Sequence, residues 1–202
     1  MGLKFSISYQ IPFYETDITH QVKLPHLLAF SLQVSGMQSE SLGNTDKDVF
    51  DKYGLVWIVT DYAIEIDRLP RYNEKVTITT EAVSYNKIFC YRNFYITDET
   101  GQQIMLFKTT FALMDYETRK VAEVPDEVVA PYGADKTKKL LRGPRYNALE
   151  NPIETLYRVR YFDLDMNGHV NNSKYLEWMF DVFDLDFLIK YTPAHIDLKY
   201  VK

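Results

Sequence analysis

The chain repeats its own opening pattern, and this repeat constrains the fold more than any other feature of the sequence. With an offset of 148 residues, Asp17 aligns with Asp165 and Val22 aligns with Val170. In each copy a short run with strand-like alternation leads into apolar residues at helical spacing. Such a repeat predicts two related modules in one chain.

The first copy is predicted to contain one strand, one long helix and four further strands. Residues 3–11 alternate as a strand does, and the apolar residues that follow Val22 recur at helical spacing. Turn residues separate four runs of β character, which are residues 56–66, 75–83, 89–97 and 103–115. Because the connections are short, we expect antiparallel neighbours with the helix packed on one sheet face. The predicted fold class is α+β.

The second copy is predicted to be shorter. Residues 126–150 are rich in Pro, Gly and Lys and are expected to link an N-terminal module, residues 1–125, to a C-terminal module, residues 151–202. In that module we expect a strand at residues 155–161, then a helix with Tyr175, Trp178, Met179, Val182 and Phe183 on its apolar face.

After this helix only residues 195–201 have strand character, so three strands of the first copy lack a counterpart. A module this small buries too little apolar area to be stable alone. Either the chain is a piece of a longer protein, which we favour, or another chain supplies the missing strands.

Composition and charge exclude several classes of protein. The 202 residues include 23 Lys and Arg against 28 Asp and Glu, and the net charge of −5 argues against non-specific nucleic-acid binding. No apolar run approaches the ~18 residues of a membrane span, and the N-terminus lacks an apolar signal core, so we expect a soluble, cytoplasmic protein. The single cysteine, Cys90, excludes an intrachain disulfide and cysteine-based zinc clusters. We expect neither a metal nor another cofactor.

Aromatic residues are the one compositional excess, at 15% of the chain. They suit either a long apolar cavity or an aromatic-rich core, and composition does not decide between the two. The depth of such a cavity depends on which aromatic side chains point inward, and a one-residue shift in strand register would invert all of them. The candidates are Trp57, Phe89, Tyr91, Phe94 and Tyr95.

The densest cluster of reactive side chains contains Asp165, Asn167 and His169, where the second copy changes from strand to helix. An imidazole exchanges protons near neutral pH, and a neighbouring carboxylate can fix its tautomer. An amide and the free N–H groups of a helix start can stabilise an oxyanion. These groups suit hydrolysis of an ester or thioester, although they could equally form only a turn and a helix cap.

The first copy is an internal control for this cluster. It keeps Asp17 but has Thr19 and Gln21 at the positions of Asn167 and His169. The turn therefore does not require a histidine, which favours a chemical role for His169. The other histidines, His20, His26 and His195, are expected to be structural or solvent-facing.

A calcium-binding loop is an alternative explanation of the same cluster. Asp163, Asp165, Asn167 and Gly168 match the start of such a loop, whose twelfth position should be a glutamate. That position is Lys174, a cation that would repel the metal. Calcium binding is therefore not expected.

The run of residues 163–178 resembles the signature of acyl-acyl-carrier-protein (acyl-ACP) thioesterases, and residues 14–17 and 68–70 resemble their first half. The resemblance implies tandem hot-dog modules, in each of which an antiparallel sheet wraps around a long helix, with the second module apparently truncated. It implies hydrolysis of fatty acyl-ACP thioesters, with the acyl cavity in the first module. Carried over by position, Asp165, Asn167 and His169 would be catalytic. The family also uses a glutamate on the strand after the second helix, and this chain ends at Lys202, apparently just before that place.

Two alternatives remain open, an acyl-coenzyme A thioesterase and a non-catalytic acyl-binding or regulatory hot-dog protein. The expected partner is an acyl carrier protein that bears a fatty acyl chain, and a homodimer is also considered. Carrier proteins of this kind are acidic, so a local basic surface would have to bind them. The linker offers one, although charge runs are more often simply solvated. Its cations are Lys136, Lys138, Lys139, Arg142 and Arg145.

Overall fold

The computed structural model describes residues 2–141, 143, 146–166 and 168–200, and a largely antiparallel sheet with one long helix forms its centre. The helices are α1 Leu24–Ser41, α2 Asp46–Tyr53, α3 Asp126–Val129, α4 Asn172–Phe180 and α5 Leu185–Lys190. The strands are β1 Lys4–Gln10, β2 Leu55–Ile66, β3 Lys75–Tyr85, β4 Phe89–Thr97, β5 Gln103–Asp115, β6 Val121–Ala122, β7 Asp135–Lys136 and β8 His195–Lys199.

The long strands lie in the spatial order β1-β3-β4-β5-β2-β8, and each pair of neighbours is antiparallel. The predicted pairing of consecutive strands is confirmed for β3 with β4 and for β4 with β5. It is wrong for β2 and β3. Both sides of β3 are occupied, by β1 and by β4, so β2 pairs with β5 and β8 instead.

The apolar stripe of α1 packs on the sheet and forms the main core. Leu27, Leu28 and Val34 are at most 1% exposed, and they belong to one cluster with residues from β2, β3, β4 and β5. The same cluster contains Leu176 of α4 and Leu198 of β8. The second copy of the repeat therefore shares a core with the first, which confirms the α+β class and joins the two halves.

Helix α2 was not expected from the sequence. Thr45 caps this helix, with reciprocal hydrogen bonds between Thr45 and Asp48, and Gly54 ends it at a φ of 65°. A capping box can be recognised in a sequence as the start of a helix, but the polar residues around this one are equally typical of a loop between two elements.

Part of the predicted linker is ordered against the first copy. Residues 126–136 contain α3, a 3₁₀ turn and β7, which pairs with β3 in parallel. Val128 and Val129 are buried in a second apolar cluster with Leu113. The domain boundaries at 125 and 150 stay a prediction, but this stretch packs as part of the first half.

The second copy departs from the prediction at its start. The strand expected at residues 155–161 is wrong, because the described residues there form no strand and Leu156 is 97% exposed. In the first copy β1 is held by β3, and the described part of the second copy offers no such partner. Unpaired backbone does not hold a strand in water. The predicted helix is present as α4 but ends at Phe180, and α5 follows.

The strand predicted near the end of the chain is confirmed as β8. It pairs with β2 of the first copy and extends the same sheet. Within the described ranges, no helix is long and apolar enough to cross a membrane.

Candidate active site

The structure confirms the internal repeat at the place where each copy enters its helix. A 3₁₀ turn, Phe13–Glu15, precedes α1, and a 3₁₀ turn, Tyr161–Asp163, precedes α4. The bounds of the two turns and the starts of the two helices differ by the same 148 residues. We call residues 13–23 the first elbow and residues 161–171 the second elbow.

The same pair of hydrogen bonds joins the aspartate of each elbow to the residue four positions later. The N–H of Asp17 donates to the carbonyl of Gln21 at 2.9 Å, and the N–H of Asp165 donates to the carbonyl of His169 at 2.7 Å. In return, the carboxylate of each aspartate accepts the N–H of the same partner, at 3.2 Å from Gln21 and 3.0 Å from His169. One scaffold therefore presents an amide in the first elbow and an imidazole in the second.

Each elbow also contains one residue in the left-handed region, His20 at a φ of 62° and Gly168 at 77°. Their N–H groups donate to the carbonyls of Asp17 and Asp165, each at 3.0 Å. His20 is thus the counterpart of Gly168 and occupies the turn. It is not the counterpart of His169, so the first elbow has no imidazole at the corresponding position.

His169 is exposed, and its Nε2 lies 3.3 Å from Nη2 of Arg119. Arg119 follows β5 and comes from the first half of the chain, whereas Asp165 is half-buried beside His169 in the second elbow. The structure therefore brings Asp165 and His169 together, as the sequence predicted. Asn167 lies outside the described residues. The catalytic roles of all three stay a prediction.

Arg119 is a candidate functional residue that the sequence analysis missed. It lies in the hairpin between β5 and β6, where Asp115 accepts the N–H and hydroxyl of Thr118. Nothing in the local pattern separates Arg119 from an ordinary hairpin arginine. Only the contact with His169, which is distant in sequence, reveals it.

A cavity of about 490 Å³ opens beside the second elbow. Its walls include Asp165 and His169 together with first-half side chains, among them Trp57, Tyr91, Arg92 and Phe111. Of the aromatic candidates, Trp57 and Tyr91 line the cavity, whereas Phe94 is fully buried in the main core. The wall combines aromatic and aliphatic side chains with polar and charged groups, a mixture that suits an apolar ligand with one reactive end.

Cys90 also lines this cavity. Burial raises the pKa of its thiol to about 12. The thiol is therefore protonated at neutral pH, and a protonated thiol is a poor nucleophile. Cys90 is therefore not a candidate nucleophile in this cavity.

The first elbow opens on a different cavity, of about 430 Å³, that includes Asp17, Gln21, His26 and Lys174. Burial lowers the pKa of His26, which lies on α1 and not on the elbow. The two elbows thus face two separate cavities. His169 lies on the wall of the second cavity, whereas the corresponding position on the wall of the first is Gln21.

The geometry disfavours the calcium alternative. Lys174 Nζ lies 3.9 Å from Asp163 Oδ1 and 2.7 Å from Glu177, so an ammonium group already occupies this carboxylate cluster. Asp163 is only 6% exposed, and it accepts the N–H of Arg160 at 2.8 Å. Among the residues with described positions, no group of three or more His, Cys, Asp or Glu could hold a metal ion.

Comparisons with known protein families match nearly the whole chain. The family described as the acyl-ACP thioesterase N-terminal domain matches residues 2–132, and the acyl-ACP thioesterase C-terminal domain matches residues 146–202. A curated relative, an acyl-[acyl-carrier-protein] hydrolase of Cuphea viscosissima, is 26% identical over 88% of this chain and 46% of its own length. The chain spans about half the length of the curated relatives it matches.

Solved structures show the same fold. A Lactobacillus plantarum protein named as an oleoyl thioesterase is 36% identical, with a TM-score of 0.93 over 99% of this chain and 79% of its own. A 12:0-ACP thioesterase from Umbellularia californica is 21% identical, with a TM-score of 0.81 over all of this chain and 83% of its own. The similarity confirms the hot-dog fold expected from the sequence.

Proposed function

The chain belongs to the acyl-ACP thioesterase family, and we propose that it hydrolyses the thioester between a fatty acyl chain and an acyl carrier protein. The observation that carries the proposal is the contrast between two matching elbows. One places His169 and Asp165 on the wall of a cavity that also contains aromatic side chains, and the other presents Gln21. Turn formation alone does not account for His169, because the first elbow forms with Gln21 at the corresponding position.

The proposed reaction is attack of water on the thioester carbonyl. His169 accepts a proton from the water as the new C–O bond forms, and a proton returns to the sulfur as the C–S bond breaks. Asp165 holds the loop that carries His169 by accepting its backbone N–H at 3.0 Å. Arg119, 3.3 Å from the imidazole, and Asn167 supply donors for the oxyanion.

The direct test is thiol release from dodecanoyl-ACP and palmitoyl-ACP by a chain that extends beyond Lys202 through the strand expected to carry the family's glutamate. Loss of a general base typically slows turnover by about 10²-fold, so we expect His169→Ala to reduce kcat by that order. The matched control is Gln21→Ala, which makes a comparable truncation at the corresponding position of the other elbow and should leave kcat unchanged. A loss smaller than about threefold in His169→Ala would remove His169 from the chemistry.

The same assay separates the two remaining alternatives. The relatives' names mention acyl-ACP, which favours the carrier-bound substrate over acyl-coenzyme A. With one acyl chain on both carriers, we expect a higher kcat/KM for the ACP thioester. Tight binding of acyl-ACP without thiol release would instead favour a non-catalytic acyl-binding protein.

A further inference from the structure

A buried arginine that has no part in the proposed reaction lines the cavity of about 490 Å³ beside the second elbow. Arg92 lies on β4 and is only 8% exposed. Burial of a charged group is costly unless its charge and hydrogen bonds are satisfied. The partners of Arg92 therefore show whether the protein itself satisfies the charge and the hydrogen bonds of the guanidinium.

The partners of Arg92 are all neutral. Nη1 donates to Oε1 of Gln38 at 2.6 Å and to the hydroxyl of Thr80 at 2.7 Å, and the guanidinium carbon lies 5.1 Å from the ring centre of Tyr132. Within the described ranges no carboxylate forms an ion pair with Arg92. Arg68 differs in this respect, because it pairs with Glu74 and with Asp98.

The other donors of Arg92 have no hydrogen-bond partner among the described residues. Both of its hydrogen bonds to described residues come from Nη1, which leaves the N–H groups of Nη2 and Nε. In the described structure, the fully buried side-chain polar atoms without a partner are the hydroxyls of Tyr62 and Thr109. Nη2 and Nε are therefore not sealed inside the protein, and the space that Arg92 lines is the cavity. Burial lowers its pKa to about 10, so the guanidinium is still charged at neutral pH.

We propose that Arg92 determines specificity by selecting acyl chains that carry an oxygen acceptor, a hydroxyl or keto group, where the chain passes the guanidinium. The ligand class rests on the proposed function. A saturated chain beside the guanidinium displaces water from this charged group and makes no hydrogen bond to it. A chain with an oxygen replaces the water, and sites built to bond such a group discriminate strongly against analogues that lack it.

Binding of non-hydrolysable ligands tests this without turnover. The probes are dodecanoyl-pantetheine amides, in which nitrogen replaces the thioester sulfur, with one hydroxyl placed at successive carbons. A hydrogen bond to a charged donor changes affinity by about tenfold or more, so we expect at least one position to bind that much more tightly than the plain chain, by calorimetry. In Arg92→Met this advantage should vanish, and in Arg92→Lys part of it should remain.

The matched control is Arg68→Met, which removes an arginine that is already paired and is not part of the cavity wall; it should leave the hydroxyl preference unchanged. If Arg92→Met does not fold, Gln38→Glu provides a second variant. It places a carboxylate beside Nη1 and should reduce the preference at least threefold, because the guanidinium then has a charged partner.

The proposal is overturned if every hydroxylated amide binds the wild type within threefold of the plain amide, or if the preference persists in Arg92→Met. Thiol release from plain acyl-ACP without any hydroxyl preference would overturn it and leave the proposed function intact. A hydroxyl preference in binding without any thiol release would support the role of Arg92 and refute only the proposal that the protein is a hydrolase.

Discussion

Replacing Leu176 with alanine tests whether the two halves of the chain share one core. Leu176 lies on α4, the helix that follows the second elbow, and it is 1% exposed. Its counterpart in the repeat is Leu28 of α1, also 1% exposed and in the same apolar cluster. If the second elbow is fixed by this core, the loss of Leu176 must destabilise the whole domain.

The expected cost follows from the burial. Leucine to alanine removes three carbons, worth about 0.8 kcal/mol each when fully buried, or about 2.4 kcal/mol in total. The space left behind adds to this, so we expect a loss of about 3 kcal/mol in the free energy of unfolding. For a chain of this length such a loss lowers Tm by roughly 6–12 °C. Met179→Ala on the same helix, where the side chain is 44% exposed, is the control and should cost no more than about 1 kcal/mol.

Urea denaturation can follow each half separately, because Trp57 lies on β2 and Trp178 lies on α4. In Trp57→Phe and Trp178→Phe backgrounds, the remaining tryptophan should report the same midpoint, and Leu176→Ala should shift both midpoints equally. A cost below about 1 kcal/mol, or a Trp178 signal that melts before the Trp57 signal, would refute the shared core.

Two further predictions concern pH and carrier binding. Burial lowers the pKa of His26 below the 6.5 of a free histidine. Its contribution to stability is therefore present above pH 6.5 and is lost as pH falls through the lowered pKa. Between pH 7.5 and pH 5 the urea midpoint of the wild type should fall more than that of His26→Gln, and equal falls would contradict this. Lys138 and Lys139 are exposed. If they bind the carrier, changing both to Glu should raise KM for acyl-ACP steeply at low salt and little at high salt. An unchanged KM at both salt concentrations would show that the two lysines are simply solvated.

Strands with turn residues on both sides were the most predictable elements. The predicted ranges 89–97 and 103–115 coincide with β4 and β5, because alternation and the turn between them are both local signals. The neighbours of β2 were not predictable in this way. They depend on which strands already occupy β3, and that is a property of the whole sheet.

The candidate site was predictable only in part. The repeat led to Asp165 and His169, since a comparison of the two copies needs no knowledge of distant contacts. Arg119 could not be found, because its role depends on a contact with His169, which is far away in sequence, and Arg92 could not be found, because the cavity that it lines is built from distant segments. Local patterns do not encode such contacts.

The pairing of β8 with β2 has a consequence for how the candidate site is assembled. The paired residues, such as Asp61 and Lys199, are far apart along the chain, and such contacts form slowly because a long loop must close first. During synthesis, β8 leaves the ribosome after the second elbow, so the pairing that attaches the second copy to the first-half sheet cannot form until residues 195–199 have been made.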